Sequence, residues 1–150
     1  MLEQRRGILL VEDDDNDVFL MKRAMSKARL DPPMHIAVNG QEALDYLQGK
    51  GRYADRDVHP IPQCIFLGLK LPFVDGFEVP EWMRKQPSLS EISVFILTSS
   101  PEDRDRQRAN QLGAKAYLVK PPTPEALIQV LKASPECGVF IAEGNSALLA

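Results

Sequence analysis

Cysteine and histidine are scarce in this chain. There are two of each in 150 residues, Cys64 and Cys137 far apart and His35 and His59 isolated, so no disulfide framework and no zinc-ligand spacing is visible. No apolar run approaches the ~20 residues that cross a membrane. The opening stretch, Met1 to Gly7, carries charge but no apolar segment of the secretory kind. There is no excess of positive charge either. Lys plus Arg number 18 against 21 Asp plus Glu, a net charge of −3, which argues against a chain that coats nucleic acid. Internal repeats and low-complexity segments are also lacking. These absences leave a cytoplasmic, soluble domain as the expectation, and 150 residues suffice to bury a core without staples.

What is present is a regular alternation. Residues 8–11, Ile-Leu-Leu-Val, form an apolar run that stops at acids, the pattern of a strand buried on both faces. Val18, Met21, Met25 and Ala28 then recur at helical spacing until Asp31-Pro32-Pro33 ends the helix. The alternation continues with strands over 34–38, 64–67, 92–97 and 115–119, and helices over 42–48, 77–85, 101–112 and 124–133. Thr123 and Pro124 open the last helix as cap and first residue. Five strand–helix units in order predict an open α/β sheet, mainly parallel, with helices on both faces. A long connection over 49–63 is either functional or an elaboration of an ordinary loop. Residues 134–150 form a tail, interrupted by Pro135, Gly138 and Gly144 and expected to be partly ordered at best.

In such sheets ligands bind outside the carboxyl ends of the strands. The first strand ends in Glu12-Asp13-Asp14-Asp15, with Asp17 just beyond. Asp14 or Asp15 can cap the helix, but capping needs one or two acids, and crowded carboxylates repel unless a cation compensates them. Oxygen ligands of this kind suit Mg2+. The fourth strand ends in Thr98-Ser99-Ser100. Ser100, followed three residues on by Asp103, reads as a helix cap and leaves Thr98 available. The fifth strand ends in Lys120, held between a buried run and Pro121. Acids, a hydroxyl and a cation at one edge describe a pocket for a phosphoryl group with its Mg2+.

With these residues in place the chain resembles a response-regulator receiver domain over residues 6–133. The motifs that carry the resemblance are Leu9-Leu10-Val11-Glu12-Asp13, Leu71-Pro72-Phe73-Val74-Asp75-Gly76, Leu97-Thr98-Ser99 and Tyr117-Leu118-Val119-Lys120-Pro121. Asp45-Tyr46-Leu47 and Gly51-Arg52-Tyr53, with the longer connection, are similar to the phytochrome-associated response regulators. The resemblance implies a flavodoxin-like (βα)5 fold of strand order 2-1-3-4-5. It implies Glu12, Asp13 and the backbone carbonyl of Lys70 at the Mg2+ site, Thr98 and Lys120 as ligands of the phosphoryl oxygens, Tyr117 as a switch, and a cis Lys120–Pro121 bond. It also implies a histidine kinase as partner, of bacteriophytochrome type under the narrower likeness. The interaction face would be the helix over 101–112, the strand over 115–119 and the helix over 124–133, with a homodimer as one use of it.

One departure bears on all of this. The family carries an acceptor aspartate at the end of the third strand, and here that position holds Gly68. Glycine offers no nucleophile and no metal ligand. The expectation is therefore a single-domain pseudo-receiver that signals by protein contact, is not an enzyme, takes up no phosphoryl group and binds Mg2+ weakly. A natural pseudo-receiver, a drifted copy and an engineered block all fit Gly68. Lys120 is expected to turn to Asp13 as its remaining anion. The alternatives are a small Mg2+-dependent phosphatase or phosphotransferase, which would need an aspartate where Gly68 stands, and a flavin- or nucleotide-binding domain. The latter would need a glycine-rich loop where this chain is acidic.

Overall fold

The computed structural model describes residues 7–69, 71, 75–99 and 102–134. Five strands, β1 (Ile8–Val11), β2 (Met34–Ala37), β3 (Cys64–Leu67), β4 (Ser93–Thr98) and β5 (Ala116–Val119), alternate with five helices. These are α1 (Asp15–Lys27), α2 (Gly40–Gln48), α3 (Glu78–Met83), α4 (Asp103–Gln111) and α5 (Pro124–Lys132). The sheet has the order β2-β1-β3-β4-β5, and every pairing is parallel. This is the parallel α/β sheet that the alternation predicts, in the flavodoxin-like (βα)5 order that the resemblance implies.

The strands stay in place because consecutive side chains point to opposite faces and both faces are covered. Leu9, Val11, Ile65, Leu67 and Ile96 pack on one side with Ala43, Leu47, Val79, Met83 and Ala109 from α2, α3 and α4. Ile8, Leu10, Phe66, Phe95 and Leu97 pack on the other with Met21, Met25, Leu127 and Leu131 from α1 and α5. Truncating one of these leucines to alanine removes about 2–5 kcal/mol. β1, β3 and β4 are buried throughout, while β5 is only partly covered. The register sets Val11 opposite Leu67, Leu67 opposite Ile96 and Thr98 opposite Val119, so the residues that follow β1, β3, β4 and β5 emerge along one edge.

The helix starts follow local chemistry. Asp14 caps α1, its carboxylate accepting the N–H groups of Asn16 and Asp17 at 2.8 and 3.2 Å. Asn39 caps α2 and Thr123 caps α5. α3 begins one residue later than expected. Asp75 accepts the Phe77 N–H at 2.9 Å, and its own N–H donates to Glu78 Oε2 at 2.8 Å, a reciprocal pair that closes the helix entrance. Pro80 falls within the first turn, where its missing N–H has no helical acceptor to lose. α4 starts at Asp103 and not at residue 101, with Glu102 in the N-cap position. The cap assigned to Ser100 lies outside the described residues, as do the Lys70 carbonyl and the tail beyond residue 134.

The 49–63 connection is packed onto α2. It contains a 3-10 turn at Gly51–Tyr53. The Arg56 guanidinium donates to the carbonyls of Tyr46, Leu47 and His59 at 2.8, 2.9 and 3.0 Å, tying the segment to the end of α2. Gly49 ends that helix at φ 69°, a left-handed conformation that glycine adopts without a Cβ penalty.

Candidate functional site

The ends of β1, β3, β4 and β5 surround a cleft of about 180 Å3 lined by Glu12, Asp13, Asp14, Asp17, Gly68, Leu69, Thr98, Ser99 and Lys120. Glu12 follows β1 directly and is buried, 3% exposed, because its N–H is drawn into the sheet by the Ala37 carbonyl at 2.9 Å. Thr98 closes β4, also 3% exposed. Its carbonyl accepts the Lys120 N–H at 2.7 Å, which fixes the root of the lysine, and the Lys120–Pro121 bond is cis as expected.

The lysine head turns into the cleft. Its ammonium donates to Glu12 Oε1, and to Asp17 Oδ2 at 2.9 Å. The expectation that Lys120 turns to Asp13 is corrected here. Asp13 points to solvent, whereas Asp17, three residues after the helix cap, is carried by the first turn of α1 back over the strand end. Glu12 Oε2 accepts the Asp14 N–H at 3.1 Å, so both oxygens of this carboxylate are engaged. Burial pushes the Glu12 carboxyl above its ordinary value, against the opposing pull of Lys120 and the Asp14 N–H. Burial would lower the Lys120 ammonium, but its hydrogen bonds to Glu12 and Asp17 and their charges outweigh it and hold it raised.

Gly68 lies between these groups at the end of β3. Its N–H donates to the Val11 carbonyl at 3.0 Å. A Cβ added there would stand 3.2 Å from the Val11 oxygen, 3.4 Å from Glu12 Oε1 and 3.6 Å from Leu71 Cδ2. The position therefore opens into the cleft beside Glu12, and a side chain would need only a small yielding of the Val11 carbonyl. Gly76 differs. A Cβ there would meet the Gly68 oxygen at 2.4 Å, so the loop after β3 and the entrance of α3 touch backbone to backbone.

Residues 8–132 match the model of the response regulator receiver domain. The chain belongs to this family. The receiver is 36% identical over 117 residues to a protein of Methanothrix harundinacea (strain 6Ac), named "Probable methanogenesis regulatory protein FilR2", covering 76% of this chain and 71% of that protein. It is 34% identical over 113 residues to the response regulator Rcp1 of Synechocystis sp., covering 75% of each. Among solved structures it is similar to the bacteriophytochrome response regulator AtBRR, with a TM-score of 0.80 and 38% identity over 95% of this chain and 99% of that one.

Receivers bind Mg2+ at this acidic edge, which makes the donor set worth testing. Among the described residues no group of three or more His, Cys, Asp or Glu is placed to hold a metal ion. Glu12 is spent on Lys120 and on the Asp14 N–H, Asp13 stands alone toward solvent, and Gly68 brings no oxygen from its side chain. As arranged, the described residues leave few carboxylate oxygens free for Mg2+. The cleft carries an internal cation instead, the Lys120 ammonium between two carboxylates.

The remaining site residue, Tyr117, lies half-buried on β5 opposite Ile96, with the Arg106 guanidinium carbon 4.8 Å from its ring centre. The structure thus brings Glu12, Gly68, Thr98 and Lys120 together and sets Tyr117 to one side, under α4. Asp17 is the participant that sequence reasoning counted among the acids without assigning it a partner.

Proposed function

We propose that this receiver keeps a phosphoryl pocket without its acceptor, and that it signals in a two-component pathway through protein contact. The observation that carries the reading is Gly68 at the end of β3, opening into the cleft between Glu12, Thr98 and Lys120. On this reading Gly68 holds the acceptor position, and Thr98 and Lys120 are groups that would contact phosphoryl oxygens. The chemistry needs a carboxylate in line with the phosphorus, and the cleft offers none there. Asp13 and Asp14 are exposed and Asp17 is paired with Lys120. Mg2+ binding is weaker than in a complete receiver, with Glu12, Asp13 and the Lys70 carbonyl as the residues that would hold it. The upstream partner is a histidine kinase of the phytochrome-linked type, supported by the likeness to AtBRR. The downstream contact uses the α4, β5 and α5 face, where Tyr117 lies beneath Arg106.

The test is intact-mass spectrometry after incubation with acetyl phosphate and Mg2+. The chain as it stands gains no phosphoryl adduct of about 80 Da. The Gly68→Asp variant gains one, because Thr98 and Lys120 are still placed to stabilise charge on transferring oxygens. An adduct on the unaltered chain overturns the reading. A folded Gly68→Asp variant that takes up nothing shows that the pocket itself is lost.

A further inference from the structure

His35 and His59, isolated in sequence, meet in the fold. His35 sits on the edge strand β2 and His59 in the 49–63 connection, their ring centres 6.0 Å apart. Tyr46 of α2 packs against both, at 5.6 Å from His35 and 5.7 Å from His59, and Tyr53 lies edge-on to His59 at 5.2 Å. The Tyr46 hydroxyl donates to the Pro60 carbonyl at 2.9 Å, so the same ring holds the connection down just beyond His59.

Charges of both signs lie around the pair. Arg56 donates to the His59 carbonyl, and its guanidinium carbon is 5.9 Å from the Tyr46 ring centre. Arg52 lies over Tyr53 and is paired with Glu42 of α2 at 3.3 Å. The Asp55 carboxylate accepts the Asp57 N–H at 2.9 Å. Among the described residues no carboxylate stands within 4.0 Å of either imidazole. His59 Nδ1 is buried and has no hydrogen-bond partner there. A proton added to one ring would face a second ring, two phenols and a guanidinium. Burial, and then the proximity of His59, already hold the His35 imidazole below its ordinary range.

We propose that the His35–His59 pair makes the 49–63 connection a proton-sensitive clasp, docked while His35 is neutral and loosened when it gains a proton beside His59. Undocking frees His35 from burial and from His59, so His35 takes a proton more readily when the connection is undocked, and docking weakens as pH falls below ~6.5, the ordinary histidine value. This device is independent of the cleft, whose chemistry lies at the strand ends.

Hydrogen exchange followed by mass spectrometry on the whole chain tests it, at pH 7.5 and 5.5, with exposure times scaled for the intrinsic pH dependence. Peptides from 49–63 exchange at least about threefold faster at the lower pH, while those from β1 and β3 do not change. In the His35→Gln, His59→Gln double variant the difference disappears. No pH difference in the unaltered chain, or an equal one in the double variant, overturns the proposal. If the double variant does not fold, amide shifts of 49–63 in the unaltered chain decide by NMR. They follow the His35 titration, and a segment that ignores it sinks the idea.

Discussion

The cleft at the strand ends and the clasp over α2 solve the same problem by opposite means. Each must hold irregular backbone against the sheet while burying polar side chains. The cleft does it with full charges, an ammonium between Glu12 and Asp17. The clasp does it with neutral rings, one phenol bond and a guanidinium on three carbonyls. A buried carboxylate must keep its cation, because removing one partner leaves the other uncompensated. A buried imidazole or phenol must keep its neutrality. The cleft therefore weakens as Lys120 loses its proton in alkali, and the clasp as His35 gains one in acid.

Removing the cation is the strongest way to break that contrast. Lys120→Met leaves Glu12 buried without its counter-charge and costs about 3 kcal/mol near neutral pH, read from urea unfolding. The deficit shrinks in acid, where a protonated Glu12 needs no partner. The sign follows from the raised ammonium. Its contribution is complete below its ordinary value of 10.5 and is lost as pH rises through the higher value it has in the fold. The alkaline loss of stability is therefore smaller in Lys120→Met than in the unaltered chain.

On the other side of the comparison, Arg56→Ala removes three bonds to carbonyls and costs about 2 kcal/mol, with protease sensitivity confined to 49–63. Tyr46→Phe removes only the bond to Pro60 and costs about 1 kcal/mol in thermal or urea unfolding. Burial keeps the Tyr46 phenol protonated up to about 12. Ultraviolet titration shows a late tyrosinate step in the unaltered chain, and Tyr46→Phe abolishes it.

The smallest effect sharpens the cleft. Gly68→Asp costs about 1 kcal/mol without divalent ions, since the new Cβ presses on the Val11 carbonyl and its carboxylate joins Glu12. Thermal melts recover that loss as Mg2+ is added, by linkage. A variant equally stable with and without Mg2+ shows that the added carboxylate does not complete a metal site.

The sheet was legible because β1, β3 and β4 are short apolar runs cut off by an acid, a glycine and a hydroxyl, and because five such units leave few ways to wind. The rim of the cleft was legible for the same reason, since Glu12, Thr98 and Lys120 are the residues at which those runs stop. The partner of Lys120 was not. Choosing Asp17 over Asp13 depends on which way the first turn of α1 faces, a matter of helix phase against the strand end. The start of α4 was placed two residues early, since Pro101 reads as a first helical residue and the helix opens at Asp103. The meeting of His35 with His59 was invisible, since it depends on how the 49–63 connection folds back across the edge strand.

The two glycines that flank the β3 loop have unequal histories open to them. Codons for aspartate and glycine differ by a single base, so exchange at residue 68 is one mutational step in either direction. The backbone there lets that step pass with a contact no closer than 3.2 Å. Residue 76 is closed to the same traffic, because any side chain would strike the Gly68 carbonyl at 2.4 Å. If residue 68 is the acceptor position, as proposed, a lineage can lose and regain an acceptor there by one step, with Gly76 as the fixed point beside it.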